Sequence, residues 1–486
     1  MAWWSFIEEI IDPRARELFL RLARSEGVDD FSELDPQEIS WPFPPKIRFD
    51  GIAVDPMIPD ELFITDTTFR DGQQSFRALS AGEALKIFDG LVRLDNSSGR
   101  ISRSEFFLYT ERDRRVVDSV KGLGHDYPKV IGWGRASIDD IRRVREAGLD
   151  EMVMLMSISD IHIKYKLSLT RDRAVSKYLD AAEHAMRMGI RLRCSLEDIT
   201  RADIPGLVVP FVRRLLRLGE RYGVDIVIKL PDTTGVGLPY PHASLPQSIP
   251  KIVWILRRVV GLEPGQIEFH GHGDYYLGVA NAMAAWIYGA SINNGTLLGI
   301  GERSGNVPIE ALVILYSRIK GDFGGMDPRA IRYISEIFTE IGYRIPRYQP
   351  IVGENAFSTM AGIHIDAQMK NPATYLSYDP SIVGRKPSIL IGPYSGTSGI
   401  AYWLQTSLGI NVSKNSDIVK KIYERIIELY NNGAKEPLGD RELEEIARIC
   451  HQIPSHLHAR FYLALLLFHQ NHCWWPLYLR LQNSLL

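Results

Sequence analysis

Gln266-Ile-Glu-Phe-His270-Gly-His272-Gly-Asp274 begins as a short apolar run and breaks off into imidazoles and a carboxylate. On a strand the side-chain period is two, so His270 and His272 leave the same face. The same figure recurs along the chain. Short β-branched runs fall at 62–65, 105–109, 130–133, 152–156, 190–195, 225–230, 266–270 and 291–296. Amphipathic helical patterns fill gaps between them, at 81–92, 139–147, 171–188, 207–221 and 249–260. Eight strand–helix units in roughly 260 residues have the count and length of a (β/α)8 barrel. A doubly wound sheet is the alternative, but it asks for a glycine fingerprint after its first strand. None stands there, and the Gly299-Ile-Gly301 that follows the last strand is too short to signal a nucleotide.

Working outward, residues 1–59 read as an N-terminal extension, with a helix at 13–24 and a proline-rich connection at 41–45. The barrel is expected over 60–327. Beyond it lie an accessory or lid subdomain at 328–410 and a C-terminal helical subdomain with an atypical tail at 411–486. Helices are expected at 328–341 and 417–431, making the accessory region mostly helical. The fold class is therefore α/β, a TIM barrel with appendages at both ends.

Composition narrows the function. A formal charge of -2, from 57 basic and 59 acidic residues, leaves no electrostatic footprint for nucleic acid. Cys194, Cys450 and Cys473 form no CxxC pair and no even framework, which points to a reducing compartment. The acidic N-terminus is unlike a secretory leader, and no apolar run approaches the ~20 residues of a spanning helix. A soluble cytoplasmic enzyme without membrane partners is expected.

Catalytic groups in such barrels come from the C-terminal ends of strands, and here those ends are crowded with polar residues. The first runs into Asp66-Thr-Thr-Phe-Arg70-Asp71-Gly-Gln73, the fifth into Arg193-Cys-Ser195-Leu-Glu197, and the sixth into Asp232-Thr233. After the eighth comes Gly299-Ile-Gly301-Glu302-Arg303-Ser-Gly305-Asn306. Two histidines at i, i+2 with Asp71 across the ring make an open catalytic ion site, and Asn306 is a weaker oxygen for it. Ligand type does not separate Zn, Mn, Mg or Co. Arg70 would set a guanidinium beside the substrate, where it can stabilise developing negative charge. Arg193, Glu197 and Thr233 suit a carboxylate and a hydroxyl, although strand-end polar residues also often just cap loops.

These motifs, in this order over residues 60–410, resemble the acetyl-CoA-dependent family that condenses 2-oxo acids: the isopropylmalate, homocitrate, citramalate and Re-citrate synthases. The resemblance implies acetyl-CoA as co-substrate and a divalent ion on Asp71, His270 and His272. It also implies a catalytic Arg70, and oxo-acid contacts from Arg193, Ser195, Glu197 and Thr233. Ala361-Gly-Ile-His364-Ile-Asp366 is similar to the family's accessory segment, and Tyr375 aligns with a tyrosine of the same lid. The family then implies a homodimer with accessory segments reaching in trans, and His364, assisted by Glu268, as base in a Claisen-type condensation. One departure stands at Gly273, where the family usually has asparagine.

Among family members, the stretches 104–109, 196–203 and 293–298 look most like Re-citrate synthases, whose oxo acid is oxaloacetate. Arg135, ending the third strand, is a candidate partner for a distal carboxylate; pairing with a neighbouring acid is the equal alternative. Homocitrate, isopropylmalate or citramalate synthesis is the next expectation, and a hydroxyacyl-CoA lyase or an inactive homologue a more remote one.

Overall fold

A computed structural model describes residues 7, 10, 12–25 and 44–450. The expectations for the tail after Cys450 and for the tryptophan-proline stretch at 41–43 lie outside these residues. Eight parallel strands close into a barrel in sequential order. They are β1 (Phe63–Asp66), β2 (Ile101–Phe106), β3 (Lys129–Arg135), β4 (Glu151–Ser157), β5 (Arg191–Glu197), β6 (Val227–Asp232), β7 (Ile267–Gly271) and β8 (Ile292–Gly295). Pairing of β8 with β1, Ile292 to Phe63 through Gly295 to Asp66, closes the ring. The largest difference from the expected strands is at β2, which starts at Ile101 and ends before Phe107. Its Ser102-Arg-Ser-Glu105 run is polar on both faces, so it carries no apolar strand pattern, and Glu105 in it faces a polar barrel interior.

The helices around the barrel follow from local chemistry. Ala81–Asp95 starts at Ser80, whose hydroxyl accepts from the Glu83 amide while the Glu83 carboxylate accepts from that of Ser80. Ala84, Ile87, Phe88, Leu91 and Leu94 recur at helical spacing and are buried. Asn96, at φ 52°, stops it in the left-handed region. Helix Ala330–Glu340 packs on this helix.

Two compact units meet in sequence at Ile345 and Pro346, so Ala330–Glu340 belongs to the first, although the sequence assigns it to the accessory region. An N-terminal strap joins the same unit. Phe49 bridges to Ala243, and the buried Lys251 ammonium sits 2.6 Å from both Asp50 carboxylate oxygens.

The second unit has a two-stranded parallel ladder, β9 (Ser358–Thr359) with β10 (Ser388–Ile389). Its helices are Gly362–Lys370, Gly396–Leu408, Asp417–Asn431 and Asp440–Ile449. Trp403, Leu404, Ile422, Ile426, Leu443 and Ile446 form its core, which runs across the expected boundary at residue 410. Among the described residues no helix is long and apolar enough to cross a membrane.

Candidate metal centre at the barrel mouth

Hydrogen bonds that join non-neighbouring strands have to cross the barrel interior, and they show which side chains face inward. Arg193 on β5 donates to Glu268 on β7, and Lys229 on β6 donates to Glu105 on β2. Asn294 on β8 donates to Glu105 at 3.0 Å. Period two from Glu268 then brings His270 and His272 to the same interior face, one and two steps nearer the mouth.

Asp71 arrives by another route. After β1 the chain makes a π-helical turn, Thr68–Gly72, a rare geometry frequent at functional sites. Asp66 organises its entry by accepting the Thr68 amide at 2.9 Å. Asp71 Oδ2 lies 3.4 Å from His270 Nε2 and 4.0 Å from His272 Nε2. The two histidine Nε2 atoms are 3.2 Å apart. Among the described residues this is the cluster of three His and carboxylate groups whose ligand atoms all lie within 4.8 Å.

Protonation states follow from the neighbours. Asn294 uses its amide nitrogen on Thr65 Oγ1 (2.8 Å) and Glu105, so its oxygen is left to accept from His270 Nδ1 at 2.7 Å. His270 therefore carries its proton on Nδ1 and turns a bare Nε2 to the cluster. Burial, then the neighbouring His270, pushes His272 down to about 3, which leaves that ring neutral. Against the burial that would raise it, the Arg70 guanidinium holds the Asp71 carboxyl well below the usual carboxylate range. A neutral His272, a His270 Nε2 turned to the cluster and an ionised Asp71 are forms that bind a metal.

Three polar atoms test whether an ion fits. Asp71 Oδ1, His272 Nδ1 and Asn306 Oδ1 are buried with no hydrogen-bond partner among the described residues. The amide nitrogen of Asn306 donates to Ile300 O at 3.1 Å, which fixes the amide with its oxygen bare. Glycines make room for it: a Cβ at Gly301 would lie 2.1 Å from Asn306 Nδ2. Unpaired polar atoms are costly to bury, and the bare oxygens of Asp71 and of Asn306, which is bridged to His272, fit a divalent ion. An antiparallel bridge between His272 and Asn306 ties the β7 and β8 loops together.

Gly273 fits the same clamp. Its amide donates to Gly305 O at 2.9 Å, and a Cβ there would meet Ser304 O at 2.9 Å. Gly273→Asn is thus expected to push the β8 loop and Asn306 outward, costing about 1–3 kcal/mol as overpacking does. Urea unfolding with Mn²⁺ titration checks this; unchanged stability and unchanged Mn²⁺ affinity would contradict it.

The other expected residues divide. Arg70 donates to Asp71 Oδ2 at 2.9 Å and lies over the Trp133 ring, 5.0 Å from its centroid. Glu197 accepts from Ser157 and from Lys166, which with His162 draws its carboxyl down to about 2 against burial. Thr233 Oγ1 accepts from the Asp198 amide at 2.8 Å, and Ser195 is buried on the inward face of β5. His364 and Tyr375 meet in the second unit, rings stacked 4.2 Å apart. His364 sits in the first turn of Gly362–Lys370 rather than in a glycine-rich loop.

Three of the expected residues are engaged elsewhere in this structure. Glu268, expected to assist a base, is fully buried and accepts from Thr65 Oγ1 (2.6 Å) and Arg193. Arg193, expected on the oxo acid, is spent between Glu268 and Glu151 (2.7 Å). Arg135 is 63% exposed, and its Nε and backbone amide both bond Asp140 at 3.0 and 2.8 Å. The neighbouring-acid alternative for Arg135 is the one the geometry favours.

Sequence reasoning passed over Lys229, Glu105 and Asn294. Lys229 interrupts the apolar β6, while Glu105 and Asn294 stand among other polar residues of β2 and β8, and their inward parity was the available signal.

Residues 61–336 match the family model described as HMGL-like, and 351–434 match the homocitrate synthase post-HMGL domain-like model. The chain is 42% identical over 406 residues to a citrate (Re)-synthase of Clostridium kluyveri, covering 82% of this chain and 90% of that protein. It is 40% identical over 409 residues to a citrate (Re)-synthase of Syntrophus aciditrophicus, covering 83% of this chain and 65% of that longer protein. A homocitrate synthase AksA of Methanothermobacter thermautotrophicus is 31% identical over 359 residues, 74% of this chain and 86% of that one.

Proposed function

The chain belongs to the HMGL-like family, in the branch whose barrel is followed by a homocitrate synthase-type domain, and on that premise we propose that it makes citrate from acetyl-CoA and oxaloacetate. The reaction is a Claisen-type condensation that ends with release of CoA. The observation that carries the reading is the 42% identity to citrate (Re)-synthase over nine-tenths of that protein. Relatives acting on other oxo acids, such as homocitrate synthase, are more distant at 31%.

Asp71, His270, His272 and Asn306 would hold a divalent ion, which as a Lewis acid polarises the ketone of the oxo acid. His270 is kept in the right tautomer by Asn294. Arg70, shielded from water and anchored on Asp71, places positive charge where the thioester oxygen becomes anionic. Ser195, Glu197 and Thr233 line the β5 and β6 rim on which the oxo acid would be oriented. His364 is the candidate base for a methyl proton of acetyl-CoA, with Tyr375 stacked on its ring. In this reading two copies form a homodimer, and each accessory unit serves its partner's barrel.

Thiol release from acetyl-CoA is the test, run with oxaloacetate, 2-oxoglutarate, 2-oxoisovalerate and pyruvate, with and without chelator. Oxaloacetate is expected to give the highest kcat/KM, with citrate as product, and the chelator to remove the activity. Preference for 2-oxoisovalerate or pyruvate would replace the substrate assignment, and no thiol release with any acid would overturn the reading.

A further inference from the structure

Beneath the metal cluster the barrel holds a charged pair that the reaction as described does not use. Lys229, in the middle of β6, has no exposed surface, and its ammonium donates to Glu105 on β2. Its next carboxylate oxygen is Glu268 Oε1 at 3.5 Å. A buried ion pair is weak evidence for stability, because desolvation consumes most of the attraction. Its partners suggest another purpose.

Glu105 is a hub. Besides Lys229 it accepts from Thr67 Oγ1 at 3.0 Å and from Asn294 Nδ2 at 3.0 Å, and Arg70 Nε lies 3.7 Å away. Two routes lead from it to the cluster. Through Asn294, whose amide orientation it fixes, it determines that the oxygen faces His270 Nδ1 and so that Nε2 is bare. Through Arg70 it reaches Asp71, to which that guanidinium donates at 2.9 Å. Without Lys229, Glu105 would be left buried with only neutral donors and a distant guanidinium, and it would draw Arg70 away from Asp71.

We propose that Lys229 and Glu105 form a positioning pair that orients two of the metal ligands, His270 through Asn294 and Asp71 through Arg70. The pair rests on the metal reading above and is independent of which oxo acid is used. Both are positioning residues, since neither touches the cluster itself.

The test is Mn²⁺ binding to the full chain, by calorimetric titration and by the spin-resonance spectrum of the bound ion, with unfolding followed in parallel. Glu105→Gln and Lys229→Met are each expected to weaken Mn²⁺ by about 10–100-fold, the usual range for groups behind the ligands. Glu105→Gln/Lys229→Met leaves no lone buried charge, so it keeps the test open where Lys229→Met fails to fold. Acting as a unit, the double variant should be no weaker than the worse single, and its Mn²⁺ spectrum should change. Mn²⁺ affinity within threefold of the parent in folded Glu105→Gln or in the double variant would overturn the pair. A parent chain that binds no Mn²⁺ would instead overturn the metal reading, and this inference with it.

Discussion

The His272→Ala chain is expected to lose on the order of a thousandfold in kcat/KM while its resistance to urea stays within about 1 kcal/mol of the parent. The split follows from what His272 does in the folded protein. Its ring is buried at 5% exposure, with Nδ1 unpartnered and Nε2 facing another imidazole nitrogen at 3.2 Å. A buried polar atom with no partner costs about 1–3 kcal/mol. Removing it relieves that penalty and offsets much of the cavity the missing ring leaves. Activity has no such compensation. A Lewis acid is worth several kcal/mol of transition-state stabilisation, and each 1.36 kcal/mol is about tenfold in rate. Mn²⁺ titration, thiol release and urea unfolding on one preparation decide the matter. A variant that keeps activity within tenfold, or that unfolds several kcal/mol early with its activity per folded molecule intact, would make His272 a structural residue.

The barrel was legible in the sequence because strand length, apolar content and eightfold recurrence are local signals. The cluster was legible because Asp71, His270 and His272 fall at strand ends, where this fold puts its chemistry. What was not legible depended on long-range partners. Arg193 reads on the strand as a free cation near the mouth. Only the closed ring shows that Glu151 and Glu268, 42 and 75 residues away, already hold it. For Arg135 the sequence left a distal carboxylate and a neighbouring acid equally open, and the partner is Asp140, five residues on in the following helix. Gly273 stands in the sequence only as a departure from the family's asparagine, and its physical reason, the Ser304 carbonyl packed against it, lies 31 residues away.

Arg193→Leu is the second large effect expected, and it should appear in stability before it appears in catalysis. The guanidinium, 4% exposed, joins Glu151 on β4 to Glu268 on β7, and both carboxylates are themselves buried. Removing one member of a buried ion network strands the others, at about 3–5 kcal/mol. Lys229 still faces Glu268 and Arg103 still reaches Glu151 at 3.1 Å, which argues for the lower end of that range. The pH dependence has a definite sign. Against burial, Arg193 first and Arg103 next hold the Glu151 carboxyl below its ordinary value in the folded protein. A depressed carboxyl contributes stability that is present above the unfolded value of about 4.3 and is lost as pH falls through the folded one. Without Arg193 that depression shrinks, and with it the stability it brings. The gap between parent and variant should therefore be full at pH 7 and narrow as pH drops below about 4.3. Urea unfolding of both chains at pH 7 and pH 4 measures it. A gap under 1 kcal/mol at pH 7, or one that widens on acidification, would show that the guanidinium is not what holds these carboxylates. A variant of parent-like stability with its KM raised for oxaloacetate alone would return Arg193 to the substrate.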